Sequence, residues 1–154
     1  MARWLAIDHG TRRLGVALGD TTDGLSMPLT MIPAGSEEQT LTAIRRVIAE
    51  YLPVGLVVGW PVNMDDTEGQ QGKLARLFGE MLEAKLDLDV RLWDERLSSF
   101  VADEALAGEF TRNKRRARQD AVAAAEILRD FLASDGPANA PKPSEATPDN
   151  ARGH

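Results

Sequence analysis

Cysteine is absent from this chain of 154 residues, and histidine occurs only at His9 and His154. Without cysteine there can be no disulfide framework and no thiolate metal site, and two histidines are too few for a His-rich zinc site. Any metal ion that this chain binds should therefore be a hard cation held by oxygen ligands.

Long apolar runs are also missing. No stretch approaches the roughly 20 apolar residues that cross a bilayer, and Met1 is followed directly by a strand pattern rather than by an apolar leader. These features predict a cytosolic protein that does not contact membranes. A hydrophobic content of 43% over this length is enough for one compact core.

The chain has no excess of positive charge, since its formal net charge is -6. Contact with nucleic acid must therefore be local, because phosphate affinity comes mainly from clustered Lys and Arg. Two such clusters exist: Arg12 and Arg13, and a segment before Asp120 that holds Arg112, Lys114, Arg115, Arg116 and Arg118. They favour phosphate binding, although a charge run of this kind is also typical of a solvated helix face.

Hydrophobic periodicity predicts the element order βββαβαβαα. Pro28 would place the third strand at an edge or beside a bulge, and Ser36 is a candidate helix N-cap. The predicted strands are 4–7, 14–19, 25–32, 54–60 and 89–93, and the predicted helices are 37–51, 74–86, 97–106 and 113–132.

This order predicts an α/β fold with a five-stranded mixed sheet and helices on both faces. Such sheets bind ligands beyond the carboxyl ends of their strands, where Asp8, Pro61 and Glu95 fall. Beyond Ser134 the composition becomes rich in proline and poor in apolar residues. We therefore expect a catalytic domain over residues 1–133 and a disordered tail over residues 134–154.

Two acids, Asp8 and Asp120, occupy positions that the predicted fold would bury, where an ionised carboxylate is costly without a partner. Asp8 shares strand parity with Ala6, so its side chain should leave the sheet on a helix-covered face. Asp120 lies in line with Ala124 and Ile127 on the apolar stripe of the last helix. Simpler interpretations remain open, since Asp8 before Gly10 also suits a hairpin turn and an Asp suits a first helical turn.

Glu95 ends the last strand in a place similar to that of Asp8, although Glu95 and Arg96 could also merely solvate a loop. Three carboxylates at element ends can together hold Mg²⁺ or Mn²⁺ and support phosphodiester cleavage. In the turn-rich loop 61–69, Asn63 and Thr67 could donate to phosphate oxygens or could simply turn the chain.

Four blocks of motifs follow one another along the chain. They are Leu5-Ala6-Ile7-Asp8-His9-Gly10-Thr11-Arg12-Arg13-Leu14-Gly15-Val16-Ala17, Gly59-Trp60-Pro61-Val62-Asn63-Met64-Asp65 with Thr67-Glu68-Gly69, Asp94-Glu95-Arg96-Leu97-Ser98-Ser99, and Gln119-Asp120-Ala121-Val122-Ala123-Ala124. Together they resemble the YqgF family, also called RuvX, over nearly the whole chain up to the tail. Trp60, Asp66 and the pair Ser98-Ser99 depart from the family pattern, but none of them is a proposed ligand.

The resemblance implies a ribonuclease H-like fold and a nuclease for the 5′ end of pre-16S ribosomal RNA. By position, the family's acidic residues fall on Asp8, Glu95 and Asp120, which makes these three the expected catalytic and metal-binding residues. The expected partner is pre-rRNA or a pre-ribosomal particle. The expected substrate contacts are Arg12, Arg13, Asn63, Thr67, Arg96, Arg115 and Arg116.

Three alternatives stay open at this point. A Holliday-junction resolvase on DNA would use the same acids, because RNA and DNA present the same phosphates. A nucleotide binder of the actin or sugar-kinase kind would share the Asp-x-Gly-Thr turn at Asp8, but those proteins enclose nucleotide between two such domains. A binding module without catalysis would need no acids, and here all three are present.

Overall fold

A computed structural model describes residues 2–63, 65, 67–95 and 112–146, with side chains in the last range from Gln119 onward. Its centre is a five-stranded sheet with the order β3-β2-β1-β4-β5. The strands are β1 (Arg3–His9), β2 (Arg13–Asp20), β3 (Ser26–Pro33), β4 (Gly55–Trp60) and β5 (Asp89–Asp94). The first three pair antiparallel, whereas β4 and β5 run parallel to β1, which confirms the mixed sheet.

Strand β3 lies at the edge of the sheet and carries a bulge. Pro28 pairs with Ala17 where the register shifts between Val16 and Ala17. Proline has no N–H to donate to a ladder, so it is tolerated where the strand is at an edge or irregular. The predicted placement of this strand is confirmed.

Helices α1 (Glu37–Tyr51) and α2 (Gln70–Lys85) cover one face of the sheet and share its apolar core. Helix α1 begins at the predicted cap, where Ser36 Oγ accepts from Gln39 N at 3.1 Å and Gln39 Oε1 accepts from Ser36 N at 3.0 Å. Helix α2 begins four residues before the predicted start, because its first turn contains no apolar residue to mark it.

Helix α3 (Arg112–Ala133) covers the opposite face, so the prediction of helices on both faces is confirmed. Its apolar stripe is buried as predicted, with Ala124, Ile127 and Phe131 packed in a cluster with Trp4 and Ala6 of β1. The predicted helix over 97–106 lies outside the described residues. None of the described helices is long and apolar enough to cross a membrane.

The chain after α3 corrects the expectation of a tail that is disordered from residue 134. Residues 134–146 return to the sheet through a short helix, α4 (Gly136–Asn139), and a 3₁₀ turn, Pro143–Glu145. Leu92 N donates to Pro141 O at 2.9 Å, and Pro143 is buried beside Gly79 of α2. Proline-rich composition does not require disorder here, since a proline has no N–H that needs an acceptor and Pro143 fills the space left by Gly79.

Gly15 of β2 sets how closely α3 approaches the sheet. A Cβ atom at this position would overlap the carbonyl oxygen of Asp120 and would lie 2.9 Å from Ala121 N. Both obstacles are backbone atoms, which cannot rotate away as a side chain can. The close packing of α3 on β2 at Asp120 therefore depends on glycine at position 15.

We expect Gly15→Ala to lower the free energy of unfolding by about 2–3 kcal/mol or more, because the helix must move away from β2. Chemical denaturation followed by circular dichroism measures this change. Gly24→Ala is the matched control, since its surroundings are open and only its positive φ of 68° opposes a side chain, at a cost of about 1 kcal/mol. Equal losses in the two variants would contradict the close approach.

Candidate active site

Asp8 and Glu95 meet on the α3 face of the sheet although their strands are not neighbours. Asp8 lies near the end of β1, Glu95 follows β5, and β4 runs between them. The two carboxyl groups nevertheless share a hydrogen bond. Glu95 reaches Asp8 by crossing Gly59 of β4, where a Cβ atom would collide with Glu95 Oε1 and would lie 2.7 Å from Ile127 Cδ1.

Burial changes the acidity of both groups. Loss of water raises the pKa of Glu95 to about 8, helped by the negative charge of Asp8, by the hydrogen bond to Asp8 and by the charge of Asp94. Burial also raises the pKa of Asp8, while the hydrogen bond with Glu95 lowers it and the charge of Asp120 raises it. At neutral pH, therefore, Glu95 holds the proton and donates to the Asp8 carboxylate.

Asp120 lies near enough to repel the Asp8 charge but forms an ion pair with Arg13, between Oδ2 and the guanidinium Nε. The side chains of this pair are only 25% and 30% exposed. Thus the structure brings Asp8 and Glu95 into contact and places Asp120 beside them with its charge neutralised. In the part of the chain that is described, no three potential ligand side chains converge as a ready metal site.

Asp94 is an acid near this pair that the sequence prediction did not select as a site residue. It is 2% exposed and pairs in register with Trp60 of β4. Its parity with Leu92 and Val90, both buried, is the sequence signal that could have identified it. Asp94 adds a second buried negative charge next to Glu95 and so contributes to holding the proton there.

In the loop after β4, the two predicted phosphate donors are engaged with the loop itself. Asn63 Nδ2 donates to Thr67 Oγ1 at 3.0 Å, and Thr67 Oγ1 donates to Asp65 Oδ1 at 2.6 Å. The hydroxyl proton of Thr67 can reach a phosphate only if the bond to Asp65 is exchanged. Substrate contact by Asn63 and Thr67 therefore stays a prediction.

A partly buried hydrogen-bond network fixes the other end of this loop. Glu68 accepts from Trp60 Nε1 at 3.0 Å and from Arg76 Nε and Nη2 at 2.8 and 3.0 Å. The bonds from Arg76 lower the pKa of Glu68, so the acid is ionised and its charge is balanced by the guanidinium. Trp60, one of the residues that depart from the family pattern, thus joins the loop to β4.

The arginines predicted to contact phosphate lie in different surroundings or outside the described side chains. Arg12 is exposed in the β1–β2 turn, whereas Arg13 is engaged with Asp120. Arg96 lies outside the described residues, as do the side chains of Arg115 and Arg116, whose backbone belongs to α3. Phosphate contact by these residues stays a prediction.

A sequence profile described as "RuvX: Holliday junction resolvase" matches residues 2–134. The chain belongs to the RuvX family. Two RuvX relatives are named "Putative pre-16S rRNA nuclease". The protein from Neisseria gonorrhoeae is 42% identical, with 87% of this chain and 89% of the relative covered. The protein from Clostridium beijerinckii is 35% identical, with 84% and 95% covered.

Solved structures support the ribonuclease H-like fold of this RuvX chain. RuvC of T. thermophilus bound to a Holliday junction superposes with a TM-score of 0.51 at 16% identity, over 88% of this chain and 96% of that one. The fowlpox virus resolvase with its junction DNA gives 0.51 at 12% identity, over 86% and 97%. At these identities the likeness concerns the fold.

The buried pair makes stability depend on pH. The unfolded chain releases the Glu95 proton near pH 4.5 and the folded chain near pH 8, so the free energy of unfolding decreases as pH rises across this window. We expect Glu95→Gln, which keeps a donor to Asp8, to match wild type at the acid end and to exceed it by a few kcal/mol at the alkaline end. Denaturant titrations across the window measure this.

Glu38→Gln, which removes an exposed acid of α1, controls for the loss of one negative charge. The same gain in stability for both variants would show that net charge, and not the buried pair, causes the pH dependence.

Gly59→Ala tests whether Glu95 reaches Asp8 across β4. Both atoms in the way of the new methyl group are side-chain ends, so we expect the fold to persist while the Glu95 carboxyl moves from Asp8. The loss of stability with rising pH should then become shallower, and adding Glu95→Gln to Gly59→Ala should have little further effect. Full additivity of the two changes at alkaline pH would contradict the crossing.

Proposed function

We propose that this chain is a metal-dependent nuclease that processes the 5′ end of pre-16S rRNA, acting on pre-rRNA or a pre-ribosomal particle in the cytoplasm. The buried, hydrogen-bonded Asp8–Glu95 pair is the observation that carries this proposal. Asp8 and Glu95 are held together although burial disfavours their ionised forms and those forms repel each other, which suggests a functional role. Membership of the RuvX family and the names of its relatives support the substrate.

The donor set suits Mg²⁺ or Mn²⁺, because it consists of carboxylate oxygens and includes no sulfur. Asp8 and Glu95 would hold the ion, and Asp120 would join them by leaving its ion pair with Arg13. A bound cation of this kind polarises a phosphodiester and favours the ionised form of a water molecule.

Arg12 and Arg13 would bind the phosphates of the substrate. Arg12 is exposed in the turn that follows the Asp8 end of β1 and would hold a substrate phosphate by charge-assisted hydrogen bonds. Arg13 would be released to a phosphate when Asp120 turns to the cation. These local positive charges offset, at this one place, the repulsion that a net charge of -6 imposes on RNA.

Cleavage of a 5′-extended pre-16S RNA and of a four-way DNA junction, each with Mg²⁺ or Mn²⁺, tests the proposal. We expect the RNA to be cut, and Asp8→Asn to lower the rate by about 100-fold or more, because a ligand and a negative charge are lost together. Asp23→Asn is the control, since Asp23 lies in the β2–β3 connection, at the end of the β1–β2 pair opposite to Asp8.

The remaining outcomes are distinct. Cutting of the junction alone would replace the rRNA role with a resolvase role, which the description of the family profile favours. Binding of RNA without cutting under any metal, unchanged in Asp8→Asn, would make the chain a binding module. Equal activity of Asp8→Asn and wild type would remove Asp8 from the site.

A further inference from the structure

A groove with a volume of about 450 Å³ begins at His9, the residue that follows Asp8. Its imidazole is stacked on Phe78 of α2, with ring centroids 4.6 Å apart and planes inclined by 29°. Leu74, Leu77 and Met81, on the same helix, also line the groove. This volume is within the range of about 300–1,000 Å³ found for small-ligand sites.

The groove exposes apolar side chains that a helix normally buries. Leu74 and Leu77 are 39% and 43% exposed, whereas Ala75 and Leu82 of the same helix are buried in the core. Both leucines lie in the first half of α2, which follows the loop after β4. The groove lies on the sheet face that α1 and α2 cover, at the same end of β1 as Asp8, whose side chain points to the other face. An exposed apolar surface at this end of the sheet suggests a ligand contact.

Charge narrows the chemistry of that ligand. Among the described lining residues none is Lys or Arg, while Glu37 contributes a carboxylate from the first turn of α1. A phosphate would be repelled by this lining, but a flat, uncharged and partly apolar group would not. Arg12 is exposed in the β1–β2 turn, next to Thr11 of the groove lining, and would bind the phosphate attached to such a group.

We propose that this groove binds one unstacked nucleobase of the substrate strand, where the strand passes over the end of the sheet that carries Asp8. The proposal rests on the proposed nuclease function and adds to it a class of substrate. A base can enter only where the strand is single or locally unpaired, because a base within a duplex is stacked and paired on both sides. The preferred substrate is then an unpaired segment rather than a continuous duplex.

Binding of a short single-stranded RNA, in a set where one nucleotide at a time lacks its base, tests this groove. A chelator is present, so that binding is measured whether or not the chain cleaves. We expect one position at which loss of the base weakens binding by about fivefold or more, as is typical of base stacking. In Leu77→Gln that difference should vanish, since glutamine keeps the helix propensity but removes the apolar wall.

Leu25→Gln is the matched control, because Leu25 is 69% exposed and lies outside the groove lining. This variant should keep the position-dependent loss. The proposal is overturned if no single base matters, if Leu77→Gln keeps the loss, or if a continuous duplex binds as tightly as the single strand. A lower sedimentation coefficient in Leu77→Gln alone would instead show that the groove joins two copies of the chain.

The two proposals fail separately. A base-dependent affinity without cleavage under any metal would leave the groove as an RNA site and remove the nuclease. Cleavage lost in Asp8→Asn but indifferent to every single base would keep the nuclease and remove the groove.

Discussion

The hydrogen bond between Glu95 and Asp8 is the interaction on which the rest of this site depends. It joins the ends of two strands across a third, and it exists because Gly59 offers no side chain in the path. Desolvation and repulsion would otherwise keep two such acids apart, and one shared proton relieves both. The strand order and the gap at Gly59 thus allow the contact that keeps Glu95 protonated at neutral pH.

A second close approach brings the third acid to the same place. Helix α3 lies against β2 at Gly15, and this contact places Asp120 beside Asp8 and within reach of Arg13. The arginine neutralises a charge that would raise the energy of the buried pair further. Gly15, Gly59 and the Arg13–Asp120 ion pair therefore allow three acids to lie close together in a chain that is already acidic.

The sequence predicts those parts of the structure that local patterns encode. Strand parity places Asp8 on the helix-covered face, and helical phase places Asp120 on the apolar stripe of α3; both are confirmed. The crossing at Gly59 has no local signal, since it depends on which strand lies between two others. The packing of Pro143 on Gly79 is equally non-local, and composition alone gave the wrong expectation for those residues.

The buried pair also links stability to function. A protonated Glu95 is favourable for the fold at neutral pH, but the cation of the proposed mechanism would require the ionised form, so its binding would displace a proton. A cation that binds only the folded chain would then offset the repulsion that makes the ionised pair costly. The same desolvation that weakens the fold at alkaline pH strengthens the attraction between the carboxylates and a cation, because water screens neither. An arrangement that is unfavourable for the empty fold is therefore favourable for the chemistry proposed for it.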